Sequence, residues 1–93
     1  MDPQQPVELA IDGVLDLHTF SPRHAKDLVH HYLDLCREKG ILHVRIIHGK
    51  GTGAMRELVH AQLKKRKDIA AFGYADAAGG GWGATVVRLC PKE

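Results

Sequence analysis

Cysteine is scarce in this chain: Cys36 and Cys90 are its two, and they make no Cys-x-x-Cys pair. A disulfide framework and a cysteine-based zinc site are thereby excluded, and both residues read as reduced, partly buried thiols. No apolar run approaches the roughly 20 residues of a membrane span, and the opening "MDPQQP" lacks a basic region followed by an apolar stretch. Cytoplasmic location without a membrane partner is the expectation. There is no internal repeat and no linker, and 93 residues suit one domain. Residues 1–6, rich in Pro and Gln, are expected to be a disordered tail, with a single domain over 7–93. A domain of this size buries about 60–65% of its unfolded surface, enough to fold without staples. No Gly-x-x-x-x-Gly-Lys-Ser/Thr spacing occurs, which excludes a Walker-type ATPase, and no nucleotide or organic cofactor is expected.

What is present is an ordinary soluble composition, 44% hydrophobic and 26% charged. The net charge of +2 and a pI of about 8.7 permit a polyanionic partner without demanding one. Charge is uneven, because "KKRK" (Lys64, Lys65, Arg66, Lys67) places four cations in a row. These can complement a helix C-terminus, contact a phosphate backbone, or do both.

The short β-favouring run Val14 to Leu17 follows a turn-like Asp12-Gly13 pair. Ser21 as N-cap and Pro22 at the first helical position predict a helix from there to residue 39, ended by Gly40. Ala25, Leu28, Val29, Tyr32 and Cys36 form its apolar stripe, with Arg23, Asp27, His30, Asp34, Arg37 and Glu38 on the other side. "HVRIIH" (His43 to His48) reads as a buried strand. Thr52 can cap a second helix over 53–67, with Met55, Leu58, Val59 and Leu63 on one face. "IAAFGYA" (Ile69 to Ala75) and "ATVVRL" (Ala84 to Leu89) are two more strands around a glycine-rich loop. The order β-α-β-α-β-β predicts an α/β two-layer sandwich: a four-stranded mixed sheet, its first three strands parallel, its last antiparallel to the third, and both helices on one face.

That arrangement brings the end of "LDLH", the start of "HGKGTG" and the loop "GGGWG" to one edge, outside the carboxyl ends of the parallel strands, where open α/β sheets bind ligands. "HGKGTG" puts Gly49, Gly51, Thr52, Gly53 and Lys50 before a helix N-terminus, where free N–H groups and the dipole favour an anion. The same glycines would also serve a plain turn. Asp16 and His18 share one side of their strand, with Leu17 on the other. Asp16 can hold a divalent cation, orient His18, or cap the following helix. With His48 on the neighbouring strand, the edge offers one carboxylate and two imidazoles beside an anion site, an inventory suited to phosphodiester cleavage. Trp82 can stack on a base or pack over the sheet end. His24, His30, His31 and His60 lie off the apolar stripes and are expected to be solvated; His43 stays open, and no His/Cys spacing suits zinc.

At these residues the sequence resembles the Smr (small MutS-related) domain family. "LDLH" before a helix, "HGKGTG" before a second helix and "GGGWGATVV" in the last hairpin occur in that family's order, across roughly residues 9–90. The resemblance implies a fold like the C-terminal domain of translation initiation factor 3. It also implies nucleic-acid binding and, in several members, metal-assisted endonuclease activity on DNA or RNA. Mg or Mn is then the expected ion, with Asp16 its ligand, and Asp16, His18 and His48 are the expected catalytic residues. Lys50, Gly49, Gly51, Thr52, Gly53, Lys64, Lys65, Arg66, Lys67 and Trp82 are the expected nucleic-acid contacts. One departure stands out: Thr19 follows "LDLH" where the family commonly has Gly, which bears on the approach to His18. The alternatives are a non-catalytic nucleic-acid-binding module and a domain for a phosphorylated small ligand.

Overall fold

The structure is a computed structural model that describes residues 11–49, 53–75 and 83–92. Its order is β1 (Val14–Asp16), α1 (Pro22–Glu38), β2 (His43–Ile47), α2 (Ala54–Lys64), β3 (Ile69–Tyr74) and β4 (Ala84–Leu89). β1 pairs with β2 in parallel, Leu15 opposite Ile46. β4 is antiparallel to both β2 and β3, so the sheet runs β1-β2-β4-β3 and the last strand lies inside it. The expected hairpin of the last two strands is therefore present, and its second arm also fills the space beside β2.

Local chemistry sets the helix limits. Ser21 is the N-cap of α1 and Pro22 follows it, yet the expected side-chain cap is absent: Ser21 Oγ lies 3.2 Å from His24 Nδ1, while its carbonyl accepts from the N–H groups of His24 and Ala25. At the other end Gly40 takes φ 76°, and the N–H groups of Gly40 and Ile41 donate to the carbonyls of Arg37 and Cys36. That pair of bonds closes a Schellman motif, in which only glycine takes the left-handed position without strain. α2 begins at Gly53, with φ 89° and no side-chain cap; Thr52, the expected cap, lies outside the described residues. α2 also stops at Lys64, short of the expected residue 67.

Both helices lie on one face. Val29, Tyr32 and Leu33 of α1 and Val59 and Leu63 of α2 share one core with Leu15, Val44, Ile46, Val87 and Leu89 of the sheet. Each such side chain contributes roughly 1.5–3 kcal/mol by leaving water. The alternate residues Val14, Arg45, Val86 and Arg88 are exposed on the open face. Among the described residues, no helix is long and apolar enough to cross a membrane.

A cluster of charges fastens the helix side to the far edge. Arg66 reaches Asp34 at 2.6 Å and Asp68 at 2.6 Å, and Arg37 reaches Asp68 at 3.2 Å and donates to the Cys90 carbonyl at 2.9 Å. The Arg66 side chain is only 10% exposed. Its place in "KKRK" suggested a phosphate contact, but its donors are directed into the protein. His30, expected to be solvated, also belongs to this cluster, meeting Gln62 at 3.1 Å and Arg66 at 3.2 Å.

Candidate active site

Backbone bonds draw the three strand ends together. Leu17 N–H donates to the Ile47 carbonyl at 2.7 Å, and the N–H groups of His48 and Gly49 both donate to the Gly83 carbonyl. The expected edge, "LDLH" beside "HG" beside the start of the last strand, is thus assembled.

Alternation along β1 puts Leu17 in the core and leaves Asp16 and His18 exposed. Asp16 Oδ1 accepts twice from His18, from the backbone N–H at 3.0 Å and from ring Nδ1 at 2.5 Å. Hydrogen bonding to His18 holds the Asp16 carboxyl below its ordinary pKa, so it is ionised at neutral pH. A carboxylate on Nδ1 fixes the orientation of the ring and leaves Nε2 as the nitrogen available to a ligand. Of the roles open to Asp16, orienting His18 is the one this geometry displays.

His48 is placed differently. Val44, Ile46 and His48 alternate toward the helices, and His48 is only 6% exposed. Nδ1 lies 3.1 Å from the Gly49 carbonyl and so donates to it, and Nε2 lies 2.8 Å from Thr85 Oγ1. His60 Nε2 meets the same hydroxyl at 2.9 Å. Burial lowers the pKa of both imidazoles, and the Arg56 charge adds to the effect. With both rings neutral the protons order themselves: His60 Nε2–H donates to Thr85, and Thr85 donates to His48 Nε2. His60, expected to be solvated, is thus part of the site's support. Both nitrogens of His48 are engaged within the protein, so its role here is to position the Gly49 turn.

His18, His48, Gly49, Gly53 and Arg56 line a cavity of about 250 Å³ at the start of α2. Asp16 does not line it and acts through His18. Arg56 had no part in the sequence reading. Its guanidinium crosses the first turn close to Gly53, whose φ of 89° is the reason for glycine there. Among the described residues no carboxylate lies within ion-pair distance of Arg56. A cation at a helix N-terminus opposes the dipole, and an anion bound beside it would offset that cost.

Lys50, Gly51, Thr52 and Trp82 lie outside the described residues. Lys64, Lys65 and Lys67 are exposed, but at the other end of α2, whose 11 residues span about 16 Å. They do not share the cavity. Among the described residues no group of three His, Cys, Asp or Glu converges to hold a metal ion. A divalent cation here would have the Asp16 carboxylate as its protein ligand and would fill its shell with phosphate oxygens and water, as Mg does.

The Smr domain family model matches residues 15–90. The chain belongs to the Smr domain family. Its sequence is 44% identical over 75 residues to the endonuclease MutS2 of Bacillus thuringiensis, and equally to that of Bacillus anthracis, covering 81% of this chain and 10% of each relative. The Smr domain described here thus spans about a tenth of the curated relatives' length. Among solved structures it is similar to the Smr domain of Thermus thermophilus MutS2, with TM-score 0.80, 36% identity, and coverage of 84% of this chain and 98% of that one. It is also similar to YdaL, a stand-alone small MutS-related protein from Escherichia coli, with TM-score 0.73, 26% identity, and coverage of 84% and 64%.

Proposed function

We propose that this Smr domain is a nucleic-acid-binding endonuclease of the cytoplasm that cleaves a phosphodiester bond at the start of α2. The observation that carries the reading is His18, held by Asp16 at 2.5 Å, on the same cavity as an Arg56 that no carboxylate among the described residues neutralises. Arg56 and Lys50 hold the phosphate at the start of α2, where the helix dipole favours an anion. His18 Nε2 exchanges the proton of the attacking or leaving oxygen, and Asp16 keeps the ring aimed. His48, fixed through Thr85 and His60, positions the Gly49 turn. A divalent cation beside Asp16 would offset the charge that develops on the phosphate.

The homology to MutS2 endonucleases supports this reading, as does an edge whose imidazole, carboxylate and cation match phosphodiester chemistry. The test is nicking of supercoiled plasmid and cleavage of RNA by the purified chain, with and without Mg or Mn, beside His18→Ala. Scission by the parent and its loss in the variant is the expected outcome. Scission unchanged by His18→Ala removes this active site. Binding without scission under any metal leaves the non-catalytic module, an alternative favoured by one observation: His48 has no nitrogen to offer the substrate.

A further inference from the structure

We propose that Tyr74 is a stacking platform for one unpaired nucleobase, so that the phosphate in the cavity belongs to a single-stranded or extruded nucleotide. The inference rests on the phosphate reading given above and specifies its substrate class. Tyr74 is the last residue of β3 and pairs with Thr85, the residue that bridges His48 and His60. It therefore stands at the same sheet edge as the cavity. It is 56% exposed, and its hydroxyl makes no hydrogen bond among the described residues. A tyrosine that serves only as packing ordinarily buries its ring and satisfies its hydroxyl.

Two neighbours hold this ring and leave the residue more than half exposed. The His60 ring centre lies 5.7 Å away, tilted at 44°, and the Arg56 guanidinium carbon lies 5.9 Å from the ring centre. His60 is in turn braced edge-on by Phe72 at 5.0 Å, so the platform sits on a packed support. Arg56 is the link that makes the arrangement specific. A guanidinium presents its flat face to an aromatic ring while its edge donates to a phosphate, and Arg56 reaches from the Gly53 turn to Tyr74. A nucleotide whose phosphate meets the edge of Arg56 has its base directed toward Tyr74. A base paired and stacked within a duplex has no exposed π-face to lay on that ring, whereas an unpaired one does.

The experiment compares two probes on the full chain: a short single-stranded oligodeoxyadenylate, and a strand of the same length made wholly of abasic units, which keeps the phosphates and removes the bases. Binding is measured by fluorescence anisotropy at low salt. The parent is expected to prefer the adenylate strand by about 5- to 140-fold, the equivalent of about 1–3 kcal/mol for one stacked base. Tyr74→Phe should keep that preference. Tyr74→Leu, which retains apolar bulk without a π-face, and Tyr74→Ala should abolish it while binding the abasic strand as the parent does. A parent that fails to prefer the adenylate strand, or a Tyr74→Ala variant that keeps the preference, overturns the platform and leaves the phosphate site standing. A parent that binds neither strand overturns the phosphate reading and the platform with it.

Discussion

The rings of His48 and His60 stand edge to face, centres 6.3 Å apart and planes at 81°, and one hydroxyl, that of Thr85, serves both. Each ring is held neutral by burial first. For His60 the neighbouring His48 is the next cause, and Arg56 acts against the charged form of both. In the unfolded chain both titrate at about 6.5. Below that value the unfolded state binds more protons than the folded one, so stability falls as pH drops from about 6.5 toward the lower folded values. Urea melts at pH 7.5, 6.5 and 5.5 should show this decline, and His60→Gln should make it shallower. A flat profile for the parent contradicts the neutral pair.

Replacing Thr85 by Val keeps the shape and deletes the hydroxyl. His48 Nε2 then lacks its donor and the His60 N–H its acceptor. Leaving buried groups unmatched costs about 1–3 kcal/mol each, so a comparable loss of unfolding free energy is expected, with the denaturant slope unchanged.

The charge cluster at the other edge predicts an asymmetry. Asp68 is 14% exposed and serves both Arg66 and Arg37, whereas Asp34 is 65% exposed and serves Arg66 alone. Asp68→Ala removes the carboxylate that two arginines share, leaves Arg66 to Asp34 alone, and should cost about 1–3 kcal/mol. Asp34→Ala should cost less than about 1 kcal/mol. The Asp68 carboxyl is held below its ordinary value, mainly by its hydrogen bonds to Arg66. Its contribution is therefore present above the ordinary carboxylate range and is lost as pH falls through the folded value, a loss that Asp68→Ala should remove from the acid melt.

At the cavity, His18→Ala and Asp16→Asn should each lower the rate of scission at least about tenfold and leave affinity nearly unchanged. Asp16→Asn keeps a hydrogen-bond acceptor but loses the ionised carboxylate that holds the His18 ring. Single-turnover rates measured beside binding titrations check that the loss lies in the rate and not in affinity.

Arg56→Ala should flatten the dependence of log affinity on log salt by about one neutralised phosphate, near 0.9 for duplex and 0.7 for a single strand. Lys64→Ala and Lys65→Ala, about 12–14 Å from Arg56 along α2, should weaken affinity without changing the rate of bound substrate. Titrations at several salt concentrations distinguish the two behaviours.

Features set by neighbouring residues were legible in the sequence. Pro22 and Gly40 bound α1 because capping geometry is local, and alternation alone places Asp16 and His18 together with Leu17 beneath. Features set by distant partners were not. Arg66 reads as one of four surface cations until Asp34 and Asp68 meet it, the former 32 residues away. His60 lies off the apolar stripe of its helix, and nothing nearby announces Thr85, 25 residues later. The same alternation that pairs Asp16 with His18 turns His48 to the helix side, so the carboxylate and the second imidazole do not share one pocket. The central position of β4 depends on a choice between sheet partners that no local pattern encodes.

That central position dictates an order of assembly. β2 and β3 share no hydrogen bond until β4 arrives between them, so a chain synthesised only as far as Ala75 holds two unjoined pieces of sheet. The same strand brings the Gly83 carbonyl to the N–H groups of His48 and Gly49, and the Thr85 hydroxyl to His48. His48 and Gly49 therefore acquire these partners in the step that closes the sheet. An emerging polypeptide would carry every residue of the cleft yet have no formed cleft until the last strand has been synthesised.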